Sequence, residues 1–210
     1  GGALANGWLI TGPEGAGKAT LAYRIARALF ASADNRSCPA SLNVDPASPS
    51  AKLVASGAHP DLFVAEIDRD ENSNPTASVI PVESIRRLIQ FFSLSPAMGG
   101  WRVAIIDTAD DLHPSAKNAL LKVLEEPPAR ACVLLLSSAP GRLPATIRSR
   151  CRRINLDRLP DSEIANLLIA EGITDNRQIA EIARASKGLP GYALRLASGA
   201  GAQQAQRAPV

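Results

Sequence analysis

The sequence predicts an α/β protein: a parallel sheet flanked by helices, followed by a small unit of three helices. Three observations predict it. The apolar run Trp8 to Ile10 leads into Gly12-Pro13-Glu14-Gly15-Ala16-Gly17-Lys18, and apolar residues then recur at helical spacing from Leu21 to Phe30. Two further apolar runs, Val103 to Ile106 and Ala131 to Leu136, end on Asp107 and on Ser137-Ser138. That is the pattern of parallel strands covered on both faces, with polar groups at their C-terminal ends where ligands sit. From Pro160 the chain changes character, and three helical segments follow, Asp161–Ala170, Asp175–Ser186 and Tyr192–Ala197, the last two separated by Gly188-Leu189-Pro190-Gly191. The predicted division is a P-loop domain over 1–157, a small helical lid over 158–198, and a linker or disordered tail over 199–210.

The elements between follow in order. Residues 31–57 are rich in Ser, Ala, Pro, Asn and Asp and read as a long loop, with a helical turn over Ala51–Ala55. His59-Pro60-Asp61 is a turn before a strand, Leu62–Ile67, and Asp68–Ser78 is a polar surface loop. Glu83–Phe92 is an amphipathic helix, with Ile85, Leu88, Ile89 and Phe92 on one face. Pro96–Gly100 is a turn, and Arg102–Asp107 is a buried strand. Ser115–Leu124 is a helix stopped by Glu125-Glu126-Pro127-Pro128, since proline cannot continue it. Ala131–Ser138 and Arg152–Leu156 are the last strands. Asp161-Ser162-Glu163 opens the next helix with a capping signal.

Composition narrows the function classes. With 210 residues the chain holds one α/β domain of about 150 residues and a small second one. Hydrophobic content of 46% with 20% charged residues describes a soluble globular protein. No apolar run approaches the roughly 20 residues of a membrane span, and no signal peptide is visible, so the expected location is the cytoplasm, away from membranes. Cys38, Cys132 and Cys151 are widely spaced, which fits a reducing compartment and provides no zinc set. A net charge of +3 and 4% aromatics weigh against a nucleic-acid-binding module acting alone. The first strand lies close to Gly1 and the tail lacks apolar periodicity, which is expected of a piece of a longer protein.

Strand, glycine loop and helix together form the context of a phosphate-binding P-loop. Gly12, Gly15 and Gly17 let backbone N–H groups face a phosphate, the helix N-terminus adds partial positive charge, and Lys18 adds a full one. The following position should carry a Ser or Thr hydroxyl for Mg²⁺, but it is Ala19. Thr20 comes one residue late and, on a helix, points about 100° away. The expectation is a loop that binds ATP or ADP weakly and supports poor metal chemistry. Asp107 is the strand-end acid that helps hold a metal in such proteins, but its neighbour is Thr108 rather than a water-activating glutamate. Asp107 and Asp110 read alternatively as caps of the turn at Leu112-His113-Pro114, and capping is the favoured reading for Asp110 and Asp111. His113, with no Cys or His nearby, reads as a turn residue rather than a metal ligand. Arg148, Arg150, Arg152 and Arg153 form a solvated basic face, or include one arginine that reaches a phosphate held by a neighbour.

These motifs resemble those of the clamp-loader subunits of bacterial DNA polymerase III, members of the AAA+ ATPases. The matching stretches are Gly12 to Lys18, His59-Pro60-Asp61, Asn118-Ala119-Leu120-Leu121-Lys122-Val123-Leu124-Glu125-Glu126-Pro127-Pro128, and Leu143-Pro144-Ala145-Thr146-Ile147 leading to Ser149-Arg150-Cys151. The resemblance covers nearly the whole chain and implies the two AAA+ domains without a C-terminal collar domain. It implies partners too: gamma/tau motor and delta subunits in a hetero-pentamer, the sliding clamp, and primed DNA. Departures from the motor subunits imply little ATPase activity of its own. Ala19 and Thr108 replace a metal hydroxyl and a catalytic glutamate, and Gly191 ends the run where a second-sensor arginine is expected. A sensor hydroxyl is kept as Ser138, and of a four-cysteine zinc module only Cys38 remains, so no zinc is expected. Arg150 is kept, and its implied place is the neighbouring subunit's site, as an arginine finger. Lys117 and Arg142 are weaker candidates for contact with DNA phosphates. The competing reading is an ATP-hydrolysing motor subunit or stand-alone P-loop ATPase, with Asp107 on the metal and Asp110 or Asp111 as base.

Overall fold

The structure, a computed structural model, describes residues 5–31, 41–67 and 79–207, with backbone alone for residues 200–207. Cys38 and the loop read over 68–78 lie outside these residues. The chain divides into two compact units, one made of Gly1–Thr11 with Ala19–Asn155 and the other of Gly12–Lys18 with Leu156–Val210. The glycine loop, read from the sequence as part of the sheet domain, groups instead with the helices.

The first unit alternates strands and helices: β1 (Gly7–Thr11), α1 (Lys18–Ala31), α2 (Pro49–Ala55), β2 (Leu62–Glu66), α3 (Val82–Ser93), β3 (Arg102–Asp107), α4 (Pro114–Glu125), β4 (Ala131–Ser137), α5 (Ala145–Arg148) and β5 (Arg152–Asn155). Its five strands lie in the order β2-β3-β4-β1-β5, and every pairing is parallel. The apolar runs explain why. β3 is buried from Arg102 to Ile106, and β4 is buried throughout, so neither presents a wet face. Leu9, Ala104, Ile106, Val133 and Leu135 enter one core cluster with Ile85, Leu88 and Phe92 of α3 and Leu120 of α4. Their alternates Ile10, Ile105, Leu134 and Leu136 are equally buried, as strands covered on both faces require.

The predicted helix faces hold. In α3 Ile85, Leu88 and Phe92 are buried, and Ile89 is partly so. Helix α4 starts at Pro114, whose missing N–H is no loss in a first turn, and His113 is its N-cap, with Nδ1 accepting from Ser115 N at 3.3 Å. The His59-Pro60-Asp61 turn ties β2 to β3. Asp61 is 1% exposed and accepts the N–H groups of Ala97 and Met98 at 2.8 and 2.9 Å. Its Oδ1 lies 3.4 Å from Arg102 Nε, and the Arg102 guanidinium sits over the Phe91 ring at 4.3 Å. Buried and bonded in this way, the acid of that motif fastens the turn before β3.

In the second unit α6 (Asp161–Ala170), α7 (Asn176–Ala185) and α8 (Pro190–Arg207) enclose Ile164, Leu168, Ile179, Ile182 and Ala193. Asp175 caps α7 by accepting from Arg177 N at 2.9 Å. The capping expected at the start of α6 is absent: Pro160 holds the N-cap position, and Asp161 and Glu163 serve only as acids of the first turn. Helix α8 also exceeds its prediction. Its backbone stays helical to Arg207, past the end at Ala197 read from the sequence. Alanine and glutamine propagate a helix without needing a buried face.

Candidate functional site

The parallel sheet brings the C-terminal ends of β1, β4 and β3 to one edge, in adjacent positions. Two sequence candidates belong to that edge, Ser138 just beyond β4 and Asp107 at the end of β3; the chain leaves β1 after Thr11 into the glycine loop, which groups with the second unit. That edge is where open α/β sheets bind ligands.

In the glycine loop one position, Gly12, admits no side chain because backbone approaches too closely, and two others adopt left-handed backbone. Gly12 has φ +155°, and a Cβ there would lie 2.6 Å from the Leu156 carbonyl oxygen. Gly15 and Gly17 have φ of +80° and +94°, the left-handed conformation that favours glycine. Gly191, at the start of α8, donates its N–H to Gly15 O at 2.9 Å. A Cβ on Gly191 would stand 3.2 Å from both Cα and O of Gly15. Gly191 therefore packs backbone to backbone on the loop.

Lys18 is 8% exposed, and its Nζ donates to Gly12 O at 2.9 Å and Pro13 O at 3.0 Å. These carbonyls solvate a charge that would otherwise be costly to bury. Loop conformation and ammonium group suit a phosphate. The metal set does not suit Mg²⁺ equally well: Ala19 offers no oxygen, and Thr20 is exposed on the first turn of α1. Among the described residues no three His, Cys, Asp or Glu side chains are placed to hold a metal ion.

Asp107 pairs in register with Glu66 of β2, and both line an open groove of about 730 Å³ with Ser84, Arg87, Thr108 and Asp111. Burial, and then the Glu66 and Asp107 carboxylates, push the Tyr23 phenol on α1 up. Asp110 does not join them, and it does not cap the turn before α4 as the sequence suggests. It is 8% exposed; its Oδ1 accepts from Ser137 Oγ at 2.6 Å, and its Oδ2 accepts from Ser138 N at 2.7 Å and Ala139 N at 3.0 Å. Both oxygens hold the end of β4, so Asp110 is a brace for the segment that carries Ser138. Of the two acids weighed as a base, only Asp111 reaches the groove with Asp107.

Arg148, Arg150, Arg152 and Arg153 are all exposed. Arg153 Nε donates to Thr11 Oγ1 at 3.3 Å, at the end of β1. Arg150 makes an ion pair with Glu125 of α4, Nη2 to Oε1 at 2.8 Å, and donates from Nη1 to Thr146 O at 2.9 Å. The sequence places Glu125 in a helix stop and in a motif that carries the family resemblance, but gives it no partner. The residues are distant along the chain, and no local pattern announces their pairing. Lys117 Nζ donates to Arg142 O at 3.3 Å on the surface, so these two candidates adjoin each other.

A parallel sheet in this strand order, a glycine loop after its β1 strand and a helical unit after β5 define an AAA+ type of P-loop fold. The RuvB Holliday junction branch migration motor of Thermotoga maritima has this fold; it matches 90% of this chain and 52% of its own at 18% identity with a TM-score of 0.55. A single-residue variant of the same Thermotoga maritima protein matches the same shares, also at 18% identity, with a TM-score of 0.57. The particular family follows from sequence: residues 1–160 match the model for DNA polymerase III, delta subunit, and the chain belongs to that family. The DNA polymerase III subunit delta' of Pseudomonas aeruginosa is 36% identical over 147 residues, and that of Escherichia coli K12 is 33% identical over 148. Each alignment covers 70% of this chain and 42% of the relative, so the chain spans less than half the length of either. The DNA polymerase III subunit tau of Salmonella typhimurium is 34% identical over 194 residues, 87% of this chain and 27% of that protein. No helix among the described residues is long and apolar enough to cross a membrane.

Proposed function

We propose that this chain serves as a delta-prime-like, non-hydrolysing subunit of a bacterial DNA polymerase III clamp loader. It joins gamma/tau motor and delta subunits in a hetero-pentamer that loads the sliding clamp onto primed DNA, and it supplies Arg150 to a neighbouring motor subunit's ATP site. One observation carries the reading: the loop keeps a phosphate-binding backbone and Lys18, yet the position that should hold Mg²⁺ is the methyl group of Ala19. Thr108, where a water-activating glutamate would stand, agrees with it. So does Asp110, since a carboxylate engaged by three donors is poorly placed to take a proton from water. Arg150, by contrast, has an exposed guanidinium just after a one-turn helix at the surface of its unit. Gly12, Gly15, Gly17 and Lys18 would hold the phosphates of a weakly bound ATP or ADP; Ser138 and Asp107 stand at the ends of neighbouring strands of the sheet, and Thr20 is exposed. The nucleotide supplies negative charge for the loop to grip; this chain contributes grip without the groups that activate water.

Two measurements test this. The full-length protein alone should release phosphate from ATP no faster than background, and turnover near that of a motor subunit would overturn the non-hydrolysing reading. In the reconstituted loader, Arg150→Ala should slow ATP hydrolysis at the neighbouring site by a factor of about 10³. Unchanged hydrolysis there would remove the arginine-finger role.

A further inference from the structure

The geometry points to Glu125 as a positioning residue for Arg150, an inference that rests on the arginine-finger reading given above. Glu125 is the last residue of α4, where exposed carbonyls leave partial negative charge. A carboxylate is locally unfavourable there, and a cation is the side chain such an end prefers. The Arg150 guanidinium, 2.8 Å away, supplies that cation from a distant part of the chain. Its other terminal nitrogen donates to Thr146 O of α5 at 2.9 Å. Two anchors on two different nitrogens fix both the direction and the plane of the group. Its remaining N–H donors stay available, because the side chain is 37% exposed.

The backbone is arranged to bring these residues together. Gly7, the first residue of β1, lies between them: a Cβ there would be 2.9 Å from Leu124 Cδ2, 3.3 Å from Cys151 Sγ and 3.4 Å from Arg150 O. The end of α4 and the segment after α5 thus close on the same strand, each one residue from or at the ion pair. Pro127-Pro128 ends α4 beyond Glu126, so the carboxylate cannot be carried farther along the helix. Ile147, fully buried, seats α5 beneath Thr146 and Arg150. These two contacts orient the arginine without any neighbour. An arginine held that way loses little rotamer freedom on meeting a phosphate.

The test uses a reconstituted loader in which only the ATP site facing this subunit turns over, the other motor sites being inactivated. Glu125→Gln should lower kcat for ATP about three- to fivefold, the scale of an exposed ion pair, with KM for ATP unchanged. Glu125→Asp, which keeps the charge, should lose less. In the Arg150→Ala background Glu125→Gln should change nothing further, because its effect passes through the arginine. If Arg150→Ala slows the site but Glu125→Gln leaves kcat unchanged, raises it, or lowers it equally in the Arg150→Ala background, the positioning role is refuted and the finger reading stands. If Arg150→Ala itself has no effect, the finger reading falls and this inference falls with it. Matching urea midpoints for the parent and the Glu125 variants check that folding is intact.

Discussion

Replacing Asp110 separates a brace from a base. Its carboxylate is 8% exposed and accepts three hydrogen bonds, from Ser137 Oγ, Ser138 N and Ala139 N, at 2.6 to 3.0 Å. A hydrogen bond to an ionised acceptor contributes about 1.5–3 kcal/mol. In Asp110→Ala all three donors lose their partner, but Ser138 is exposed, and water recovers part of the loss at that end. Ser137 Oγ, at the fully buried end of β4, has no such recourse. The expected net cost is therefore about 3–4 kcal/mol. Asp110→Asn keeps one carbonyl oxygen for the two N–H donors and offers an amide to the Ser137 hydroxyl, which accepts as well as donates. Only charge assistance is lost, about 1–2 kcal/mol. Urea denaturation of both variants reads the two costs from the shift of midpoint at unchanged slope. An Asp110→Ala cost below about 1 kcal/mol would refute the bracing argument. So would an Asp110→Asn variant as unstable as the alanine one.

Three further outcomes are expected. His59 is 3% exposed and stacked on Phe30, and burial lowers its ring below the usual value of 6.5 against an opposing pull from Asp61. The unfolded chain therefore takes up this proton first, so stability is lost as pH falls from 6.5 toward the folded-state value; an NMR titration midpoint for His59 at or above 6.5 would contradict this. Burial pushes the Cys151 thiol up to about 11, so it stays protonated near neutrality, reacts slowly with iodoacetamide at pH 8, and costs stability as pH rises from 9 toward 11; peptide mapping that finds rapid labelling of Cys151 in the folded protein would oppose it. Gly191→Ala places a methyl 3.2 Å from Gly15 backbone atoms and should cost about 1–2 kcal/mol in thermal or urea unfolding, with Gly191→Val costing more; a neutral Gly191→Val would mean that the loop and α8 do not pack as described.

Much of this fold was legible because its strands are continuous apolar runs with polar ends. The Arg102–Asp107 strand and the Asp161–Ala170 helix were read with the bounds that the structure gives. The glycine loop was legible because spacing alone specifies it. What escaped is what depends on distant partners or very short elements. One turn of helix, Ala145–Arg148, offers too few residues for periodicity to register. Asp110 sits where a cap is expected, and only the folding of β4 beside it shows that its partners are Ser137, Ser138 and Ala139. Glu125 looked like part of a stop signal, since its partner lies on another segment. The helical continuation of α8 escaped for the opposite reason: the sequence of residues 199–207 has no apolar periodicity, so no pattern marks them.

The last strand, β5, has one consequence beyond its own unit. Among the described residues only β1 pairs with it, so its outer backbone N–H and C=O groups face away from the sheet. Such a row invites a strand from another molecule. Two devices discourage it: β5 is four residues long, and it opens with Arg152-Arg153, both exposed. A second chain approaching along this border would bring its own arginines against these and find few ladder positions to fill. Contacts with other molecules on this side are thereby steered toward side chains and away from a sheet continued from one molecule into the next.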